Sequence, residues 1–223
     1  MENRSEHDAI PPLKKVLKGA GLFLLGTFLS RFITYFTRIF IARYFGPEEY
    51  GLFSLGLAVV GFAAPFAALG LPIAIKRYVP YYRAKMEEAR VKGVMLFSFL
   101  AVALASAITG GVLFLLSSQM ATTVFHNPEL KDVFKVFAMS IPFASLSSLL
   151  ASSFEGFQDI KYRVYTERIL SNVFKLVFII LFGVLGYGLL GIAFAYTIAT
   201  ALTFSSTIII MKLLSDKLAL EKL

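Results

Sequence analysis

The stretch GAGLFLLGTFLSRFITYFTRIFIARY, Gly19 to Tyr44, is apolar and long enough to cross a bilayer, yet it carries Arg31 near its middle and Arg38 two turns on. As a helix rising about 1.5 Å per residue it is about 39 Å long, with Arg31 about 18 Å in, close to the midplane of a bilayer. A lone charge at that depth costs from about 3 to more than about 10 kcal/mol, depending on how water and lipid respond. Such a charge is kept where a cavity, a partner or a function needs it. Thr27, Arg31, Thr34, Tyr35 and Arg38 recur at i, i+4, i+7, i+8 and i+11, which is one helix face. Phe28, Phe32, Phe36, Ile39 and Phe40 cover the others. The pattern predicts a cationic face turned away from lipid, with Arg38 near enough to the helix end to snorkel outward instead.

The rest of the chain extends this reading. Of its 223 residues 57% are hydrophobic, against the 45–50% usual in soluble domains, and 23 are Phe. A soluble chain of this length has no interior for them, so a polytopic membrane protein of all-α class is expected. The formal charge of +8 would suggest nucleic acid in a soluble protein, but here its location decides, and no nucleic-acid partner is expected. Cysteine is absent, which excludes disulfides, thiolate metal sites and a cysteine nucleophile.

Six spans can be drawn, at about residues 17–44, 50–74, 92–118, 131–154, 163–186 and 189–213. Together they form one transmembrane domain, 16–214, between tails 1–15 and 215–223. Gly46-Pro47 breaks the chain between the first two, and Gly186-Tyr187-Gly188 is a very short turn into the last. Pro65 and Pro72 predict a kink in span two, and 75–92, IKRYVPYYRAKMEEARVK with its flanks, reads as partly an interfacial helix that could touch anionic lipid head groups. Span four carries Ser145, Ser148 and Ser152, with Glu155 at its end; span six aligns Tyr196, Thr200, Thr203 and Thr207 on one face.

Lys and Arg in the short loops set the orientation. The N-terminal tail, the 76–92 loop, the 161–168 segment and the C-terminal end hold sixteen of the 22 basic residues, and the opposite side holds only Arg43, Lys131 and Lys135. Both termini are therefore expected in the cytoplasm of a multi-pass plasma-membrane protein.

No His/Asp/Ser constellation, metal-ligand cluster or phosphate-binding glycine loop is present, so neither an enzyme nor a cofactor site is expected. Both histidines, His7 and His126, fall in a tail and a loop. The candidate site is a set of intramembrane cations. Arg31 is the deepest; Lys175 lies about 10 Å inside span five and continues a polar stripe through Arg168 and Asn172. With Thr34, Tyr35 and Arg38 these residues make the expected substrate-binding set. No Asp or Glu lies deep in a span, which disfavours a proton relay or cation exporter. Buried charges of one sign suit an anion, and arginine favours bidentate contact with phosphate or carboxylate.

With IARYFGPEEYGLFSLGLAVVGFAAPFAALGLPIAIKRYVPYYRAK after the Arg-bearing first span, and LGYGLLGIAFAYTIAT later, the chain resembles the polysaccharide-export or lipid-linked oligosaccharide flippases (Wzx-like) within the MATE-type superfamily. The resemblance implies one lobe of a two-lobe transporter that moves a polyprenyl-pyrophosphate-linked sugar between leaflets. A cationic cavity would hold the pyrophosphate, with Arg31 and Arg38 as its first-span contributors and Lys175 added by charge and depth. Family members have about twelve to fourteen spans in two lobes, so the resemblance also implies a truncated product, a homodimer of half-transporters, or a separate partner as the second lobe. A MATE-like drug or cation antiporter and a non-transporting component of polysaccharide assembly are the alternatives.

Overall fold

A computed structural model describes residues 10–157 and 159–220, with side chains for 19–157 and 159–214. The expected tails 1–15 and 215–223 fall largely outside these limits. The helices are α1 (Ile10–Tyr44), α2 (Pro47–Ala67), α3 (Leu71–Ala84), α4 (Glu88–Gln119), α5 (Leu130–Gly156), α6 (Ile160–Arg163), α7 (Ser171–Val184) and α8 (Gly188–Leu220). Two π-helical segments accompany them: π1 (Met120–Val124) prolongs α4, and π2 (Val164–Leu170) joins α6 to α7. No strand occurs among the described residues. The all-α membrane bundle expected from the sequence is the fold observed.

Among the described residues, five helices are long and apolar enough to cross a membrane: Gly19–Tyr44, Pro47–Ala67, Glu88–Val124, Leu130–Gly156 and Gly188–Leu214. The expected fifth span, 163–186, is instead a composite rod in which α6, π2 and α7 follow end to end from Ile160 to Val184. Six crossings result only when this rod is counted as one. The expected span 50–74 is also corrected. The chain leaves the helix after Ala67, turns at Leu69 and Gly70 with φ of 53° and 68°, and restarts as α3. Pro72, expected to kink a span, sits in the first turn of α3, where its missing N–H leaves no hydrogen bond unmade.

The bundle is built around α5. It packs against α2, α3, α4 and α8 and buries Phe134, Phe137, Ile141, Leu149 and Phe154 almost completely. Lipid is as apolar as leucine, so close fit rather than hydrophobic exclusion must hold these helices together. Small residues allow it: Gly56 of α2 faces the Phe137 ring, and a Cβ on Gly110 of α4 would lie 2.9 Å from the Ala138 carbonyl oxygen. The charged helix α1 is peripheral. It buries only a narrow stripe that includes Ser30, Thr37 and Ile41, while Leu24, Leu25 and Phe28 stand open.

The hairpin ends need glycine. Gly46 (φ 96°) precedes Pro47, and Gly186 (φ 75°) and Gly188 (φ 57°) make the turn from α7 into α8. Chain direction then places 85–87 and 157–160 at one end of the bundle, the basic end, and 45–47, 125–129 and 185–188 at the other.

Candidate binding site: an arginine-bearing helix face and a hydroxyl-lined cavity

The six expected site residues fall into three settings. Arg31, Tyr35 and Arg38 lie on the exposed side of α1, beside its buried stripe; Tyr35 is 63% exposed. Among the described residues neither arginine has a hydrogen bond, ion pair or ring contact.

Thr34 and Asn172 form a strut between α1 and α7. Asn172 Nδ2 donates to Ser30 Oγ at 2.8 Å and to the Arg168 carbonyl at 2.7 Å, which uses both amide hydrogens. Thr34 Oγ1 lies 2.9 Å from the Ser30 carbonyl and 3.2 Å from Asn172 Oδ1. Arg168, one turn before, places its guanidinium 5.2 Å from the Phe23 ring centroid of α1.

Lys175 is turned the other way, into a cavity of about 170 Å³ between α5, the composite rod and α8. Its ammonium stands 4.9 Å from the Tyr196 ring centroid, within cation–π range. The expected α8 face lines this cavity in full: Tyr196, Thr200, Thr203 and Thr207. The serine ladder of α5 does so only through Ser148, because Ser145 donates to the Ala64 carbonyl of α2 and Ser152 to the Ser148 carbonyl of its own helix. Thr166, Glu167 and Ser147 also reach the cavity, and none of them stands out in a reading by spans. Glu167, Ser171 and Lys175 recur at i, i+4 and i+8, a spacing that would have aligned them. Thr166 joins its neighbour Glu167 at the wall where π2 departs from α-helical geometry, as such segments commonly do at functional sites.

At the basic end, ion pairs join four elements. Glu155 of α5 accepts from Lys76 of α3 at 2.7 Å and from Arg163 of α6, and Arg163 Nε donates to Glu167 Oε2 of π2 at 2.7 Å. Glu155 is thus bound in a network, and Glu167 carries that network to the cavity wall. Burial, and the Arg163 guanidinium beyond it, hold the Lys76 ammonium below the usual lysine range. No group of three or more potential metal ligands occurs among the described residues.

Known proteins resemble this chain over limited parts of their own length. It is 24% identical to stage V sporulation protein B of Bacillus subtilis over 64% of the chain and 28% of that protein. It is 27% identical to an uncharacterized membrane protein of Methanocaldococcus jannaschii over 77% of the chain and 36% of the relative. With the protein named "Putative O-antigen transporter" of Shigella flexneri it shares 28% identity over 52% of the chain and 28% of the relative. The chain therefore matches about a third of the length of these relatives. No solved structure matches it significantly. The sequence profile of the polysaccharide biosynthesis proteins, in contrast, matches residues 16–220, nearly the whole helical bundle, and the chain belongs to that family.

Proposed function

We propose that this bundle is one lobe of a membrane transporter that carries a lipid-linked oligosaccharide between leaflets, with the arginine face of α1 taking the pyrophosphate. The observation that carries this reading is the pair Arg31 and Arg38, exposed on a membrane-spanning helix and without partners among the described residues. Cations left open at such a depth are too costly against hydrocarbon. A water-filled space between two lobes removes that cost, and an anionic ligand lowers it further. Guanidinium forks suit the paired oxygens of a pyrophosphate. Tyr35 borders the same face, and Asn172 and Thr34 fix α7 against it. A second copy of the chain or another six-helix lobe would supply the opposite wall. Family membership and the name of the Shigella relative point the same way.

One observation favours the antiporter alternative: Glu167 brings a carboxylate to the cavity between α5, the composite rod and α8. Its ion pair with Arg163 at 2.7 Å weakens that case, since the carboxylate already has a counter-ion from the protein itself.

The test is native mass spectrometry of the detergent-purified chain with polyprenyl pyrophosphate, alongside Arg31→Ala. The reading expects lipid adducts on the unaltered protein and their loss from a variant that keeps its melting temperature. A folded Arg31→Ala protein with unchanged lipid occupancy would sink it.

A further inference from the structure

We infer that the cavity between α5, α7 and α8 binds a single neutral pyranose unit, a sugar site apart from the arginine face of α1. The inference deepens the transporter reading and rests on it for the source of the sugar.

Hydrogen-bond polarity decides the ligand class. Thr166, Thr200, Thr203 and Thr207 donate their hydroxyl hydrogens to the carbonyls of Tyr162, Tyr196, Ala199 and Thr203, at 2.7–2.8 Å. A hydroxyl has one hydrogen, so these four present only lone pairs to the cavity. Glu167 adds a carboxylate, of which Arg163 engages one oxygen. Lys175 donates, and the hydroxyls of Ser147, whose Oγ is buried without a partner, and of Ser148, Ser171 and Tyr196 can both donate and accept.

A phosphate brings acceptors alone and would meet five groups that can only accept. A metal cation would suit those oxygens but faces the Lys175 ammonium. A ring of hydroxyls, each both donor and acceptor, satisfies the two sides together. Its C–H faces find apolar wall at Ala144, Ala151 and the Tyr196 ring. Size points to one ring: about 170 Å³ is well under the roughly 300 Å³ at which pockets for drug-sized ligands begin.

The chain contains no cysteine, so an introduced thiol reports alone. Ser148→Cys places one in the cavity wall, Thr200→Cys is the second reporter should the first fail to fold, and Tyr35→Cys reports on the arginine face. Each purified variant of the 223-residue chain is treated with a maleimide in the presence of methyl hexopyranoside, methyl N-acetylhexosaminide or sugar-free polyprenyl pyrophosphate. The expected result is that a glycoside slows modification in the cavity and leaves Tyr35→Cys unchanged. Adding Glu167→Gln should raise the glycoside concentration required by about tenfold, one hydrogen bond to a charged group. Slowing in the cavity by the pyrophosphate but not by either glycoside overturns the inference in favour of an anion site, and slowing by none of the three overturns it outright. If the pyrophosphate protects only Tyr35→Cys while both glycosides fail, the sugar site falls and the transporter reading stands. Glycoside protection without any effect of the pyrophosphate at Tyr35→Cys keeps the sugar site and removes the anionic one.

Discussion

Asn172 of α7 and Ser30 of α1 are joined side chain to side chain at 2.8 Å across 142 positions of sequence. Polar contacts of this kind hold membrane helices where hydrophobic exclusion cannot, each contributing about 0.6 and at most about 1.7 kcal/mol. Asn172→Leu removes this bond and the contact with Thr34, and should destabilise the bundle by about 1–2 kcal/mol. Thr34→Val removes only one of the two interhelical contacts and should cost less. Thermal melting in detergent measures both. If Asn172→Leu melts with the parent, α1 is held by its apolar stripe alone.

Arg31 distinguishes charge from shape. Arg31→Lys keeps the positive charge but loses the planar fork. Affinity for polyprenyl pyrophosphate should fall by about tenfold, one strong hydrogen bond, with Arg31→Ala weaker still. Titration by native mass spectrometry gives the order. Equal affinity of the Lys variant and the parent would mean that the face acts only as a diffuse field.

Glu155 sits between two cations of unequal burial: the Arg163 side chain is 16% exposed and that of Lys76 is 37% exposed. Exposed pairs contribute about 0–1 kcal/mol, whereas breaking a buried one costs about 3–5 kcal/mol. Glu155→Gln should fall between these limits. Double-mutant cycles on melting temperature should show stronger coupling of Glu155 to Arg163 than to Lys76. The reverse order would show that α3, rather than α6, is what this carboxylate holds.

Two adjacent glycines should part company. A Cβ on Gly110 meets the Ala138 carbonyl at 2.9 Å, whereas one on Gly111 meets nothing within 4 Å. Gly110→Ala must push α4 from α5 and should lower the melting temperature. Gly111→Ala adds a better helix former, about 1 kcal/mol in an exposed helix, and should be neutral or stabilising. Equal melting of the two would show that α4 can shift without loss.

Much of this was legible in the sequence because bilayer thickness and charge are simple constraints. Apolar run lengths are enough to read the all-α membrane class, and helical spacing alone aligns Arg31, Tyr35 and Arg38, which the structure places together on the exposed side of α1. The role of α5 was not. Its apolar residues read like those of any other span, and only the packing around Phe137 and Gly110 shows that four helices meet there. The break after Ala67 was hidden because Pro65 and Pro72 read equally as kinks in one helix. Glu167 was missed because a carboxylate close to Arg163 and Arg168 reads as a span end, while π2 carries it to a cavity wall.

The remaining expectation is the orientation, with the basic end in the cytoplasm. It follows from sixteen basic residues toward that side against three toward the other, leaving out the intramembrane Arg31, Arg38 and Lys175. Ala89→Cys, exposed at the start of α4, and Glu129→Cys, exposed before α5, place single thiols at the two ends without removing a basic residue. In intact cells a membrane-impermeant maleimide should modify Glu129→Cys and spare Ala89→Cys until the membrane is permeabilised. The opposite pattern would invert the bundle. The Lys76–Glu155–Arg163–Glu167 network would then lie at the outer surface, and the arginine face of α1 would load its anion from the other leaflet.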